Sequence, residues 1–218
     1  MTTLLEFVEE YWLILQTHAI SPFKKIPARW KNGIKGDVIL IPGFGETWCF
    51  LEIIGNTLNT EGYRIHTIQM LSYNTRSTKD SASVLNKYFY TNDLQDVIFI
   101  SHSKGGIIAK YFIDNSEHSK KVKWSISIAT PYKGSRFGYL QLLNLKEIAP
   151  DSALLKKLLA NKSNISKIIN IHAKWDDHIG DVENAKLPEA QNIEVELYGH
   201  ARVLQSKDTL DQILKVLS

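Results

Sequence analysis

The chain has 218 residues, with 26 Lys and Arg against 23 Asp and Glu, a formal net charge of +3. A chain of that length buries about 70–75% of its unfolded surface without any staple. A make-up of 44% hydrophobic and 22% charged residues excludes a disordered, collagenous or coiled-coil chain. The single cysteine, Cys49, excludes an internal disulfide framework and fits a reducing, cytoplasmic setting, while the scattered lysines give no sign of a nucleic-acid partner.

The first twenty residues lack a basic leading segment and a small-residue cleavage site. Leu4, Phe7, Val8, Tyr11 and Leu15 share one helical stripe, so a packed amphipathic helix over residues 1–20 is expected, in preference to an interfacial anchor with a basic face. No run of about 18 uncharged apolar residues is present to span a bilayer. Asp37 to Ile41 is a short apolar run ending at Pro42-Gly43 and reads as a buried strand meeting a turn. Phe50 to Leu58 reads as helix, Tyr63 to Ile68 as strand and Ser81 to Tyr90 as helix. Val97 to Ile100 is the clearest strand, followed by a helix from Gly105 to Ile113. Val122 to Ile128, Ile168 to His172 and Ile193 to Leu197 are further strands, and Thr209 to Leu217 is a closing helix. Between 134 and 166 the pattern changes to two leucine-rich helical stretches around Pro150, with Asp151 or Ser152 as a cap and Leu154, Leu155, Leu158 and Leu159 as a packing stripe. This insertion is expected to pack beside the sheet and is long enough to form a small lid. No linker interrupts the chain, so one domain over 1–218 is expected, an α/β fold whose mainly parallel sheet of about six strands has helices on both faces.

Ser101-His-Ser-Lys-Gly-Gly106 follows the Val97–Ile100 strand and opens a helix. A sharp strand-to-helix turn holds one side chain above the sheet, and the residues two before and two after it must be small, as Ser101 and Gly105 are around Ser103. At the start of that helix the backbone N–H of Lys104 faces a developing oxyanion. Pro42-Gly-Phe-Gly45 closes an earlier strand, and its Phe44 N–H is the candidate for a second oxyanion donor. Of the seven histidines only His200 lies between the last strand and the last helix, where a base for Ser103 is needed. Asp176 and Asp177, just beyond the Ile168–His172 strand, are both candidates to orient it. His172, His178 and the neighbouring aspartates match no compact zinc spacing, so no metal is expected.

In this order the segments DVILIPGFGET, IFISHSKGGIIAKYF, ISIATPYKGS and DDHIGDVENAKLPEAQNIEVELYGHARVL resemble the landmarks of α/β-hydrolases of the lipase and esterase group. EIAPDSALLKKL resembles the helical segment that such lipases carry between the last two. The resemblance implies a minimal lipase-like core without a large cap domain, and a Ser-Asp-His triad cleaving carboxylic esters of lipid-like or small acyl compounds. Laid against the family's Asp-x-Ile-Val-Pro pattern, Asp177 takes the place of the acid, giving Ser103, Asp177 and His200 as the triad. Ser101 stands where the elbow usually has glycine, Pro42 where many relatives have histidine, and Gly180-Asp181 where the family has proline. Phe44 and Trp48 are the expected substrate contacts, with Phe50 and the leucines of 140–159 as further candidates. No organic cofactor is implied. An acyltransferase or thioesterase would use the same triad, and a binding protein on this fold would have no use for it.

Overall fold

The order in which the strands lie places two loops side by side. The computed structural model describes residues 4–140 and 142–218. Its strands are β1 (Gly36–Ile41), β2 (Tyr63–Thr67), β3 (Val97–His102), β4 (Val122–Ile128), β5 (Ile168–Trp175) and β6 (Gln191–Tyr198). They form one sheet in the order β2-β1-β3-β4-β5-β6, and every neighbouring pair is parallel. Chain order reverses between β1 and β3, so the loops leaving these two strands meet at a switch point, where a sheet of this kind has its natural crevice.

Helices α1 (Leu4–Ile20), α2 (Glu52–Thr60), α3 (Thr78–Asn92), α4 (Lys104–Asn115), α5 (Ala153–Ala160) and α6 (Lys207–Leu217) cover the sheet. Successive side chains of a strand point to opposite faces, and the core divides accordingly. Val38, Leu40, Ile98 and Ile100 pack with α2 and α6 residues, including Leu58 and Ile213. Ile39, Ile41, Val97 and Phe99 pack on the other side with residues of α3, α4 and α5, including Leu85, Phe112 and Leu155. Val38–Ile41 of β1 and Val97–Ile100 of β3 are unbroken apolar runs because both faces of the sheet are covered there.

Two expectations change. Leu4, Phe7, Val8, Tyr11 and Leu15 do form a stripe on α1, but they are exposed, with Leu4 at 80% and Leu15 at 60%. The helix packs through the neighbouring stripe instead: Glu10 and Thr17 are buried and Leu13 and Ile14 lie against the core. Those four have the helical spacing i, i+3, i+4, i+7, masked in a hydrophobicity reading by the carboxylate at its head. In the 134–166 segment only Ala153–Ala160 is α-helix; Arg136–Leu140 and Leu145–Ile148 are single 3-10 turns, and Gln141 lies outside the described residues. Ser152 stands at the N-cap of α5 without a side-chain cap bond. Among the described residues no helix is long and apolar enough to cross a membrane.

Candidate active site

Ser103 sits at the turn between β3 and α4 with φ 50° and ψ −124°, an arrangement a non-glycine residue adopts only under constraint. The constraint comes from crowding: a Cβ on Gly105 would lie 2.3 Å from the carbonyl oxygen of Ile41. The elbow therefore presses against the end of β1, and the smallness expected at position 105 is a packing requirement. The Ser103 amide donates to Ile128 O at 2.9 Å, tying the turn to β4 as well.

The loop after β1 is held from the side by residues 73–74. Gly45 N donates to Tyr73 O at 2.7 Å, Tyr73 N to Glu46 O at 2.6 Å and Asn74 Nδ2 to Pro42 O at 2.6 Å. Lys104 braces that second loop. Its side chain is fully buried, donates to Arg76 O at 2.6 Å and stands 5.6 Å from the centre of the Phe44 ring. Burial pulls its ammonium down to about 8, against the pull of Glu147.

His200 lies in the loop after β6. Its Nδ1 is 2.7 Å from Oδ2 of Asp176, and both side chains are buried. The expected partner, Asp177, is elsewhere: its Oδ2 accepts from Tyr11 Oη at 2.6 Å, and the residue is exposed. The reason is local. β5 runs on to Trp175, three residues past the expected end, so Asp176 is the residue that turns in at the strand end. Its Oδ1 then accepts the amides of His178 at 2.9 Å and Ile179 at 3.1 Å. One carboxylate thus both closes the turn and meets His200. Burial pushes the Asp176 carboxyl up, but the charge and hydrogen bond of His200 outweigh it and hold it below the usual range. Burial likewise disfavours the His200 imidazolium, yet Asp176, Glu46 and Glu10 raise it to about 9. His178 stacks on His200 with ring centres 4.5 Å apart. Burial and the charge of His200 bring it down to about 4, so His178 is neutral beside a protonated neighbour.

Two anchoring elements were not found in the sequence. Glu10 of α1 reaches across 190 or more residues, its Oε1 accepting Ala201 N at 2.7 Å and its Oε2 Arg202 N at 2.9 Å. Gly199, at φ 128°, leaves room for that carboxylate; a Cβ there would lie 2.3 Å from Glu10 Oε2. The ISIATPYKGS segment braces the acid loop: Ser135 Oγ donates to His178 O, and Lys133 N to Asn184 O at 2.9 Å. The sequence signal for the first is Glu10 at the head of the 10, 13, 14, 17 helical spacing.

Ser103, His200, Phe44 and Glu46 line one cavity of about 240 Å³, walled by Ile14 and His18 of α1, Phe50, Pro131, Phe137, Leu145, Ile148 and Ile179 among others. Phe44 is where it was expected. Trp48 is not: it is buried edge-on against Trp30, with ring centres 5.3 Å apart, because the 3-10 turn Trp48–Leu51 directs it into the core and Phe50 towards the cavity. Of the leucines of 140–159, Leu145 reaches the cavity, Leu155 and Leu158 are core, and Leu140, Leu142 and Leu143 are exposed. Among the described residues no group of three or more His, Cys, Asp and Glu side chains is gathered as a metal would require.

No protein-family model and no curated protein sequence matches the chain. Solved structures do. A Bacillus licheniformis lipase in its mature form superposes with a TM-score of 0.69 at 15% identity, over 84% of this chain and 92% of that one. A Paleococcus ferrophilus monoacylglycerol lipase gives 0.65 at 11%, over 85% and 95%. A carboxylesterase of Nitrososphaera gargenis gives 0.64 at 15%, over 85% and 91%. The chain has the α/β-hydrolase fold of these lipases and esterases.

Proposed function

We propose that the chain is a single-domain serine hydrolase that cleaves carboxylic esters through an acyl-enzyme on Ser103. The observation that carries this reading is the 2.7 Å bond from His200 Nδ1 to buried Asp176, in a loop that lines the same cavity as the elbow serine. With Nδ1–H committed to Asp176, Nε2 is the free lone pair and takes the Ser103 proton as Oγ attacks the ester carbonyl. The negative charge then grows on the carbonyl oxygen, where the amides of Phe44 and Lys104 are assigned as donors. His200 returns its proton to the leaving alkoxide, and a water repeats the cycle on the acyl-enzyme. Asp176, not Asp177, keeps the imidazole in the right tautomer and balances the imidazolium.

The cavity supports an uncharged acyl group as the bound portion, since Phe44, Phe50, Phe137, Leu145 and Ile148 line it. Phe137, Leu145 and Ile148 come from the 134–166 segment, which we assign as a wall of the acyl pocket. A fluorophosphonate probe tests the reading. The expected result is one adduct, on Ser103, lost in Ser103→Ala together with roughly 10³-fold or more of the ester turnover. An unlabelled Ser103 in a protein that cleaves no ester from acetyl to palmitoyl would overturn it.

A further inference from the structure

Two buried groups behind Ser103 have no part in the proton path just described. Glu46, on the loop after β1, accepts the Gly43 amide at 2.7 Å through Oε2. Both its carboxylate oxygens lie 2.8 Å from Nδ1 of His102, the last residue of β3. Nε2 of the same ring is 3.0 Å from the carbonyl oxygen of His200. Both ring nitrogens face acceptors, so a ring that makes both bonds carries two N–H groups and is an imidazolium, balanced by the Glu46 carboxylate. Burial pushes the Glu46 carboxyl up, but the His102 charge and hydrogen bond outweigh it and hold it below its ordinary value. An ion pair this deep returns little net stability, and removing one partner strands the other.

We propose that Glu46 and His102 are positioning residues that tie the loop carrying the Phe44 amide to the loop carrying His200, so that oxyanion donor and base hold one spacing about Ser103. This rests on the ester-hydrolase reading. The connection runs Gly43 N–H, Glu46, His102, His200 O, and crosses from the loop after β1 to the loop after β6 through the end of the central strand. The His102 and His200 rings lie 4.6 Å apart, so the first also limits the swing of the second. The other titratable groups facing His200 are Asp176 and the neutral His178 from the loop after β5 and Glu10 from α1. None of these bonds to the Phe44 loop in the way Glu46 does.

The test uses the fact that glutamine can reproduce the wiring and alanine cannot. In Glu46→Gln the amide oxygen accepts Gly43 N–H, and the amide NH₂ donates to a neutral His102 that still donates to His200 O. Turnover of a short-chain nitrophenyl ester is followed from pH 6 to 10, normalised to the folded fraction from thermal unfolding. Glu46→Ala and His102→Ala are each expected to lower kcat about 10–100-fold with KM changed less than about threefold, the scale of a small misplacement. The double variant should be no worse than the poorer single. Glu46→Gln should return kcat to within about threefold, with the acid limb moved to lower pH because a carboxylate favouring the imidazolium is gone. Losses that multiply in the double variant, or an Ala variant with wild-type kcat, overturn the proposal. Should the Ala variants not fold, the Glu46→Gln profile decides alone, and an unmoved acid limb counts against the pair. The low-field proton resonance of His200 Nδ1–H is read in the same proteins without substrate. It should be present in the wild type and in Glu46→Gln and broadened by exchange in His102→Ala. A wild type that cleaves no ester sinks the hydrolase reading, and the spectra then decide the coupling: a resonance as sharp in His102→Ala as in the wild type overturns it.

Discussion

Adjacent aspartates with opposite fates show how finely the site depends on single side chains. Asp176 is buried and bonded to His200, whereas Asp177 is exposed and bonded to Tyr11. Asp176→Asn should therefore cut turnover by roughly 10³–10⁴-fold with the fold retained, since the imidazole loses its oriented tautomer and its counter-charge. Asp177→Asn should stay within about threefold. Steady-state kinetics of the two at equal folded fraction checks this, and the reverse ranking would remove Asp176 from the triad. The same pair sets the pH response. With His200 raised to about 9, the free base is scarce at neutral pH, so kcat/KM should climb through pH 7 and 8 and level off only above about 9. A profile already flat at pH 7 would contradict the assigned surroundings of His200. Stability should move in the opposite sense. A histidine with a raised value contributes fully below its unfolded value of about 6.5, and the contribution is lost as pH rises towards 9. The gap in unfolding temperature between wild type and Asp176→Asn should thus narrow between pH 6.5 and 9.

At the scale of elements, α1 is the unexpected participant. Its apolar stripe faces outward, yet Glu10, Ile14 and His18 hold or line the site. Burial pushes the Glu10 carboxyl up against the two amides that favour its charge. Replacing it by glutamine leaves one oxygen for two buried N–H groups and sets an NH₂ against a donor. The expected cost is about 1–3 kcal/mol, or roughly 2–12 °C in Tm for a chain of this size. The same change should speed amide exchange at Ala201 and Arg202. Thermal unfolding and hydrogen exchange together check this; unchanged exchange there would mean that α1 does not hold the loop. The order of elements was legible because the strands contain short apolar runs bounded by turn or helical stretches, and Val122–Ile128 has the boundaries expected of it. Strand ends were less legible. β5 and β6 extend through His, Lys and Trp or through alternating polar residues, since edge-side pairing tolerates them where a hydrophobic run has stopped.

On the scale of the whole molecule, one sheet brings together four loops: those after β1, β3, β5 and β6. They converge because parallel strands all end on the same side, and β1 and β3 flank the point where chain order reverses. The cavity they enclose, about 240 Å³, is below the usual range for a drug-sized ligand. Esters of short and medium acyl chains should accordingly show higher kcat/KM than palmitoyl esters on the same alcohol. A panel from acetyl to palmitoyl decides it; a preference rising steadily to palmitoyl would place the chain outside this cavity.

Local chemistry alone was enough to read the α/β architecture and to single out Ser103 and His200 as candidates. Strand propensity, small residues beside Ser103 and the place of His200 after the last strand are properties of short segments, and short segments are visible in sequence. The choice between Asp176 and Asp177, the inward turn of Phe50 in place of Trp48, and the recruitment of Glu10, Glu46 and His102 were decided by tertiary structure. Each depends on which way a side chain points once strands far apart in sequence have stopped at a common level. A shift of one residue at a strand end reverses that direction. Burial then converts the reversal into chemistry, because a carboxylate that turns inward must find N–H donors: Glu10 finds the amides of Ala201 and Arg202, and Asp176 finds His200 itself.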